Sequence, residues 1–104
     1  MEFVETGVFT ERIGKLLTDE AYRDLQAVLA ENPQAGEVIP GAGGLRKIRW
    51  HAAGRGKRGG IRVIYYRWSE HQLYMIFAYD KREQGDLTHE QLKTLRVYVK
   101  GGVL

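Results

Sequence analysis

Ile61-Arg62-Val63-Ile64-Tyr65-Tyr66-Arg67-Trp68 and Gln72-Leu73-Tyr74-Met75-Ile76-Phe77-Ala78-Tyr79, joined by Ser69-Glu70-His71, decide the fold. Both runs are dense in β-branched and aromatic residues, and the connector is too short for anything but a tight turn, so they read as a β-hairpin. A two-residue turn at Glu70-His71 sets Ser69 opposite Gln72 and Arg62 opposite Tyr79. Side chains alternate along a strand, so Ile64, Tyr66 and Trp68 should share a face with Leu73, Met75 and Phe77. Arg62, Tyr79 and Lys81 should meet at the open end of that face. Helices laid on one face would leave Ile61, Val63, Tyr65, Tyr74 and Ile76 exposed on the other, as an apolar partner site.

Outward from the hairpin, Leu45-Arg46-Lys47-Ile48-Arg49-Trp50 reads as a short, half-polar edge strand. Residues 34–44 read as a glycine-rich loop. Upstream, Phe3-Val4-Glu5-Thr6 suits a first strand, and Phe9, Ile13, Leu16 and Leu17 recur at helical spacing. Thr18 is placed to cap a second helix, with Asp19 and Glu20 where the positive helix end favours carboxylates. Tyr22, Leu25, Val28 and Leu29 form its apolar face, and Asn32-Pro33 stops it. The near absence of a linker makes these two an antiparallel helical hairpin. Downstream, Thr88 and Gln91 form a capping box, with Leu87 stapled to Leu92. Leu95 and Val99 continue that helix to Gly101-Gly102. The expected order is β-α-α-β-β-β-α, an α+β fold with a helical hairpin packed on a small antiparallel-rich sheet.

At 104 residues there is room for one core, so residues 1–104 read as a single domain. An apolar share of 43% beside 28% charged residues is that of an ordinary globular protein. With no cysteine, disulfides and thiolate metal sites are excluded, which suits a reducing cytosol. The start Met1-Glu2-Phe3-Val4-Glu5 is not that of a signal peptide, and no run approaches the roughly 20 apolar residues that span a bilayer. The expectation is a soluble cytoplasmic protein without a membrane partner.

The net charge of +3 conceals a strong asymmetry. Between Glu37 and Glu70 no acidic residue occurs, yet half of the 16 Lys and Arg residues and seven of the 13 glycines lie there. Cations packed without interleaved acids repel one another unless a ligand supplies the anions, and glycine lets a backbone approach that ligand closely. A polyanion, nucleic acid above all, is the implied partner. A solvated basic loop that keeps an edge strand soluble is the alternative. Trp50, Tyr65, Tyr66 and Trp68 are candidates for base stacking or for the core.

Other motifs carry less. Gly54-x-Gly56-x-x-Gly59 matches a dinucleotide fingerprint in spacing, but a strand follows it where that motif needs a helix N-terminus. Gly59-Gly60-Ile61 is no Walker A sequence. His51, His71 and His89 lack the spacing of a metal site or a triad, so no metal and no cofactor is expected. Asp80 and Glu83 read as ion-pair partners of Arg82 or Lys81.

Three segments together, Gly44-Leu45-Arg46-Lys47-Ile48-Arg49, Gly54-x-Gly56-Lys57-Arg58-Gly59-Gly60-x-Arg62-Val63-Ile64-Tyr65-Tyr66 and Tyr79-x-Lys81-x-Glu83-x-x-Asp86-Leu87, resemble the HigB branch of the RelE/ParE toxin superfamily. The likeness extends over nearly the whole chain. It implies a RelE-like fold and the toxin of a bacterial type II toxin-antitoxin pair: a metal-independent endoribonuclease that cleaves mRNA in the ribosomal A site. It also implies a cognate antitoxin of helix-turn-helix, DNA-binding type, with operator DNA reached only through that antitoxin. Carried over by position, Lys57, Arg62 and Lys81 are the expected catalytic cations. Arg46, Lys47, Arg49, Arg55, Arg58, Tyr79 and Arg82 are the expected RNA contacts.

The chemistry needs no metal. The 2′-hydroxyl attacks its own phosphate, an arginine clamps that phosphate bidentately, and a lysine crowded by other cations gives up its proton more easily. Lys57 and Lys81 share the base and acid roles without a way to say which is which. Two other functions remain open from sequence: a ParE-like inhibitor of DNA gyrase, and a non-catalytic RNA- or ribosome-binding module.

Overall fold

In the computed structural model, which describes residues 1–53 and 59–101, four short-range signals from the sequence set the element boundaries. The chain runs β1 (Glu2–Glu5), α1 (Gly7–Leu16), α2 (Asp19–Glu31), β2 (Glu37–Val38), β3 (Arg46–Trp50), β4 (Ile61–Ser69), β5 (Gln72–Asp80) and α3 (His89–Gly101). Thr6 caps α1, its Oγ1 accepting from Phe9 N at 3.0 Å while donating to Ile76 O at 2.7 Å. One buried hydroxyl thus starts a helix and pins it to the sheet. Thr18 caps α2 by accepting from Ala21 N at 3.0 Å, a bond whose loss typically costs about 1 kcal/mol. Thr88 and Gln91 exchange both bonds of the expected capping box, each at 3.0 Å. Asn32 ends α2.

The result is an α+β fold: a five-stranded sheet in the order β1-β5-β4-β3-β2, antiparallel except for the β1–β5 pair. Both hairpin ends have the expected register, with Ser69 opposite Gln72 and Arg62 opposite Tyr79. The middle does not. Register shifts between Ile64 and Tyr65 and between Arg67 and Ser69 mark an extra residue first on β5 and then on β4, so the two displacements cancel. Ile76 and Phe77 therefore join the same core cluster, as a β-bulge allows. Leu73 and Met75 move to the opposite face from Phe77, contrary to strict alternation.

Two clusters result, one on each side of the sheet. Phe9, Ile13, Leu25 and Leu29 of α1 and α2 pack with Val63, Tyr65 and Met75. Leu92 and Leu95 of α3 pack with Ile64, Ile76, Phe77 and Tyr79. The expected exposed patch is therefore absent: Ile61, Val63, Tyr65, Tyr74 and Ile76 are all buried. Helices cover both faces because the α3 face has its own apolar stripe to bury. In α2 it is Ala21, not Val28, that is buried; Val28 is exposed. The segment expected to be loop contributes β2, paired as Glu37 with Lys47 and Val38 with Arg46, so β3 is not the edge strand. Among the described residues no helix is long and apolar enough to cross a membrane.

Candidate functional site

Alternation on β3 and β4 sorts the cations by face. Lys47 lies opposite Ile64, and Arg49 lies directly opposite Arg62, which in turn lies opposite Tyr79. Lys47, Arg49, Arg62 and Tyr79 thus share the α3 side of the sheet. Lys81 follows one pleat further, its N–H donating to Gly60 O at 2.7 Å. Lys47, Arg49, Arg62 and Lys81 line an open cleft of about 450 Å³, where they meet Glu37 and Asp86. Like charges directly opposite on neighbouring strands destabilise a sheet by up to about 1 kcal/mol. An Arg49–Arg62 pair is kept at the expense of the free protein.

Arg62 is the most constrained of the four. The residue is only 8% exposed, and its Nη1 donates to Gly59 O at 2.6 Å and to Ile61 O at 3.4 Å. No carboxylate lies within ion-pair distance of it among the described residues. Its guanidinium is oriented by backbone carbonyls, and its charge is left for something else to neutralise. Gly59 has to be glycine: a Cβ there would meet the Trp50 carbonyl oxygen at 1.9 Å. That close approach carries the chain into β4 just where Arg62 must point into the cleft.

Asp86 forms the opposite wall. Its Oδ1 accepts from Leu87 N at 2.8 Å and from Tyr79 OH at 3.4 Å, and lies 3.5 Å from Lys47 Nζ. The Leu87 amide bond, helped by the Lys47 charge, holds its pKa below the usual carboxylate value. Tyr79 is fully buried. Burial first, and the neighbouring Asp86 charge second, push its phenol up to about 12.

Not every expected contact residue is in the cleft. Arg46 points to the other face, donating to Gly36 O at 2.8 Å and Gln34 O at 3.4 Å. Arg82 is exposed but tied to buried Asp80 at 2.8 Å, and hydrogen bonds from Arg82 keep the Asp80 pKa low. Glu83 is 4.0 Å from Arg12. Tyr79 lies beneath Asp86 and offers no surface. Arg55, Lys57 and Arg58 lie outside the described residues, as does Gly102. Trp50 is anchored by its indole N–H to Ala21 O at 2.9 Å, and Tyr65 belongs to the core. Trp68 is exposed and stacked on Tyr74, with ring centroids 5.3 Å apart.

Two residues of the cleft, Glu37 and Asp86, had no role assigned from sequence. A two-residue strand has no periodicity to announce it, so Glu37 gave no signal except as the last acid before the basic stretch. Among the described residues no group of His, Asp or Glu is arranged to hold a metal ion.

A protein-family model described as the RelE toxin of the RelE/RelB toxin-antitoxin system matches residues 12–102. The chain belongs to the RelE toxin family. That match takes in every residue that lines the cleft, from Ala35 to Asp86. Membership makes the chain the toxin of a toxin-antitoxin system, whose partner is a cognate antitoxin. In a RelE-family toxin, a cleft of closely spaced cations is the natural place to seek the toxic activity.

Proposed function

We propose that this RelE-family toxin is a HigB-like, ribosome-dependent endoribonuclease that cleaves mRNA in the ribosomal A site and so halts translation in the bacterial cytoplasm. A helix-turn-helix, DNA-binding antitoxin neutralises it and links it to operator DNA. The observation that carries this reading is the Arg49–Arg62 cross-strand pair, in one cleft with Lys47 and Lys81 and with neither arginine ion-paired to a carboxylate among the described residues. A gyrase inhibitor acting through a protein surface has no use for such a costly arrangement.

The 2′-hydroxyl of one nucleotide loses its proton and attacks the adjacent phosphorus. The bond to the 5′-oxygen of the next nucleotide breaks, leaving a 2′,3′-cyclic phosphate and, after proton transfer, a free 5′-hydroxyl. Negative charge grows on the non-bridging oxygens in the transition state. Arg62, already oriented by Gly59 and Ile61, stabilises that charge with little reorganisation. Lys81 and Lys57 supply the proton-transfer groups, Lys57 on the family resemblance alone. Arg49 and Lys47 hold the flanking backbone. The ribosome aligns the strand for in-line attack, which is worth many orders of magnitude in effective concentration.

The test is a purified translation system with end-labelled mRNA. Arg62→Ala should reduce cleavage at least about 100-fold, the loss typical for removing one transition-state donor, with the thermal midpoint and antitoxin binding little changed. Arg62→Lys, which keeps the charge but not the bidentate geometry, should fall between. Full cleavage by Arg62→Ala overturns the site. Intact mRNA with DNA supercoiling blocked makes the protein a gyrase inhibitor, and RNA binding without cleavage makes it a binding module.

A further inference from the structure

Beside the cationic cleft lies a second hollow of about 180 Å³, and the two share Glu37, Lys47 and Asp86 as a common rim. Ile39 and Pro40 line it from the β2–β3 connection, and Leu87 and Leu92 from the start of α3. The walls of the first hollow are charged; those of the second are mostly apolar. A nucleotide has the same division, a charged phosphate and a flat base with apolar faces and a polar edge.

The rim holds an electrostatic oddity. Glu37 is the cross-strand partner of Lys47, yet the Lys47 ammonium is 3.5 Å from Asp86 instead. Asp86 is occupied by Leu87 N, Tyr79 OH and Lys47. Glu37 makes no ion pair and no side-chain hydrogen bond among the described residues. A carboxylate left open in a cleft built for phosphate repels the ligand, unless it accepts hydrogen bonds from another part of it.

We infer that the second hollow is a base subsite, and that Glu37 reads a guanine adjoining the phosphate in the cleft. This rests on the nucleolytic reading above. Ionised carboxylates only accept, and guanine alone presents two adjacent N–H donors, N1–H and N2–H, to match the two oxygens in the bidentate manner of a guanidinium. Adenine and cytosine offer one amino group beside a ring acceptor, which faces the second oxygen unfavourably. Uracil places its single N–H between two acceptors.

Glu37→Ala, an exposed position where the fold is not at risk, separates this from simple repulsion. The probes are guanosine, adenosine and uridine 3′-monophosphates titrated into the full-length protein by NMR. Wild type should bind the guanosine nucleotide roughly tenfold more tightly than the other two, within the usual range for a bidentate base contact. Glu37→Ala should lose that preference while binding the uridine nucleotide no more weakly. Equal affinities in wild type, no binding of any of the three, or an equal gain for all three in the variant would each overturn the subsite. Mapping cut sites in the translation system gives the second readout: guanine enriched at one position beside the cut in wild type and lost in Glu37→Ala. Cleavage without that enrichment sinks the subsite alone. Failure of wild type to cleave, with guanosine binding intact, sinks the nucleolytic reading alone.

Discussion

Tyr79 illustrates how burial decides what a residue type can do. From sequence it is a candidate RNA contact; in the fold its ring is core and its hydroxyl reaches only Asp86, at 3.4 Å. Its phenol ionises at about 12 in the folded protein against about 10 in an unfolded chain. A raised pKa contributes stability that is complete below pH 10 and is lost as pH rises towards 12. Alkaline unfolding of the wild type should therefore steepen in that window, and Tyr79→Phe should remove part of the steepening. At neutral pH the same substitution should cost no more than about 1 kcal/mol, because Leu87 N and Lys47 still hold Asp86. Denaturant melts from pH 7 to 12 measure both. Arg62 is the opposite case: a strand position that sequence already places beside Tyr79 is also the one the backbone presents to the cleft.

At the scale of elements, the connection from α2 into β2 matters most, because it brings Ala35 and Glu37 to the cleft wall. Tyr65 anchors it. Its hydroxyl donates to Pro33 O at 2.7 Å and accepts from Gly36 N at 2.9 Å, and Gly36 leaves no room for a Cβ, which would meet the Tyr65 ring at 2.8 Å. Tyr65→Phe leaves one donor and one acceptor without a partner in a buried setting. The expected cost is about 1–3 kcal/mol, seen as a lower thermal midpoint, together with faster hydrogen exchange at the Gly36 amide. None of this was legible in advance, since the bonds link residues about thirty apart through a loop with no pattern. The hairpin was legible because its ends are fixed by turn length and strand composition. The bulge at Ile76 was not, for an inserted residue changes no composition and is favoured only by the packing of Phe77 under α3.

For the molecule as a whole, the sequence made the charge asymmetry plain and left its placement to be found. Proximity along the chain is a poor guide: Arg46 and Arg49 are both in β3, three residues apart, yet pleating sends them to opposite faces. Arg46 serves the loop after α2, whereas Arg49 stands opposite Arg62 in the cleft. The apolar stripe that alternation marked as a partner site is instead internal, so the antitoxin has to engage some other surface. The sorting of charge by face can be measured directly. Each phosphate neutralised on a single-stranded RNA contributes about −0.7 to the slope of log affinity against log salt. The four cleft cations should therefore give a slope near −3 for a short oligonucleotide, if all four engage phosphates. Arg49→Ala should make that slope shallower by about 0.7, while Arg46→Ala should leave it unchanged and slightly lower the thermal midpoint. Fluorescence anisotropy across a salt series reads both variants. Equal changes in slope would mean that RNA follows the basic run of sequence and not the cleft, because only the fold, and not the order of residues, distinguishes these two arginines.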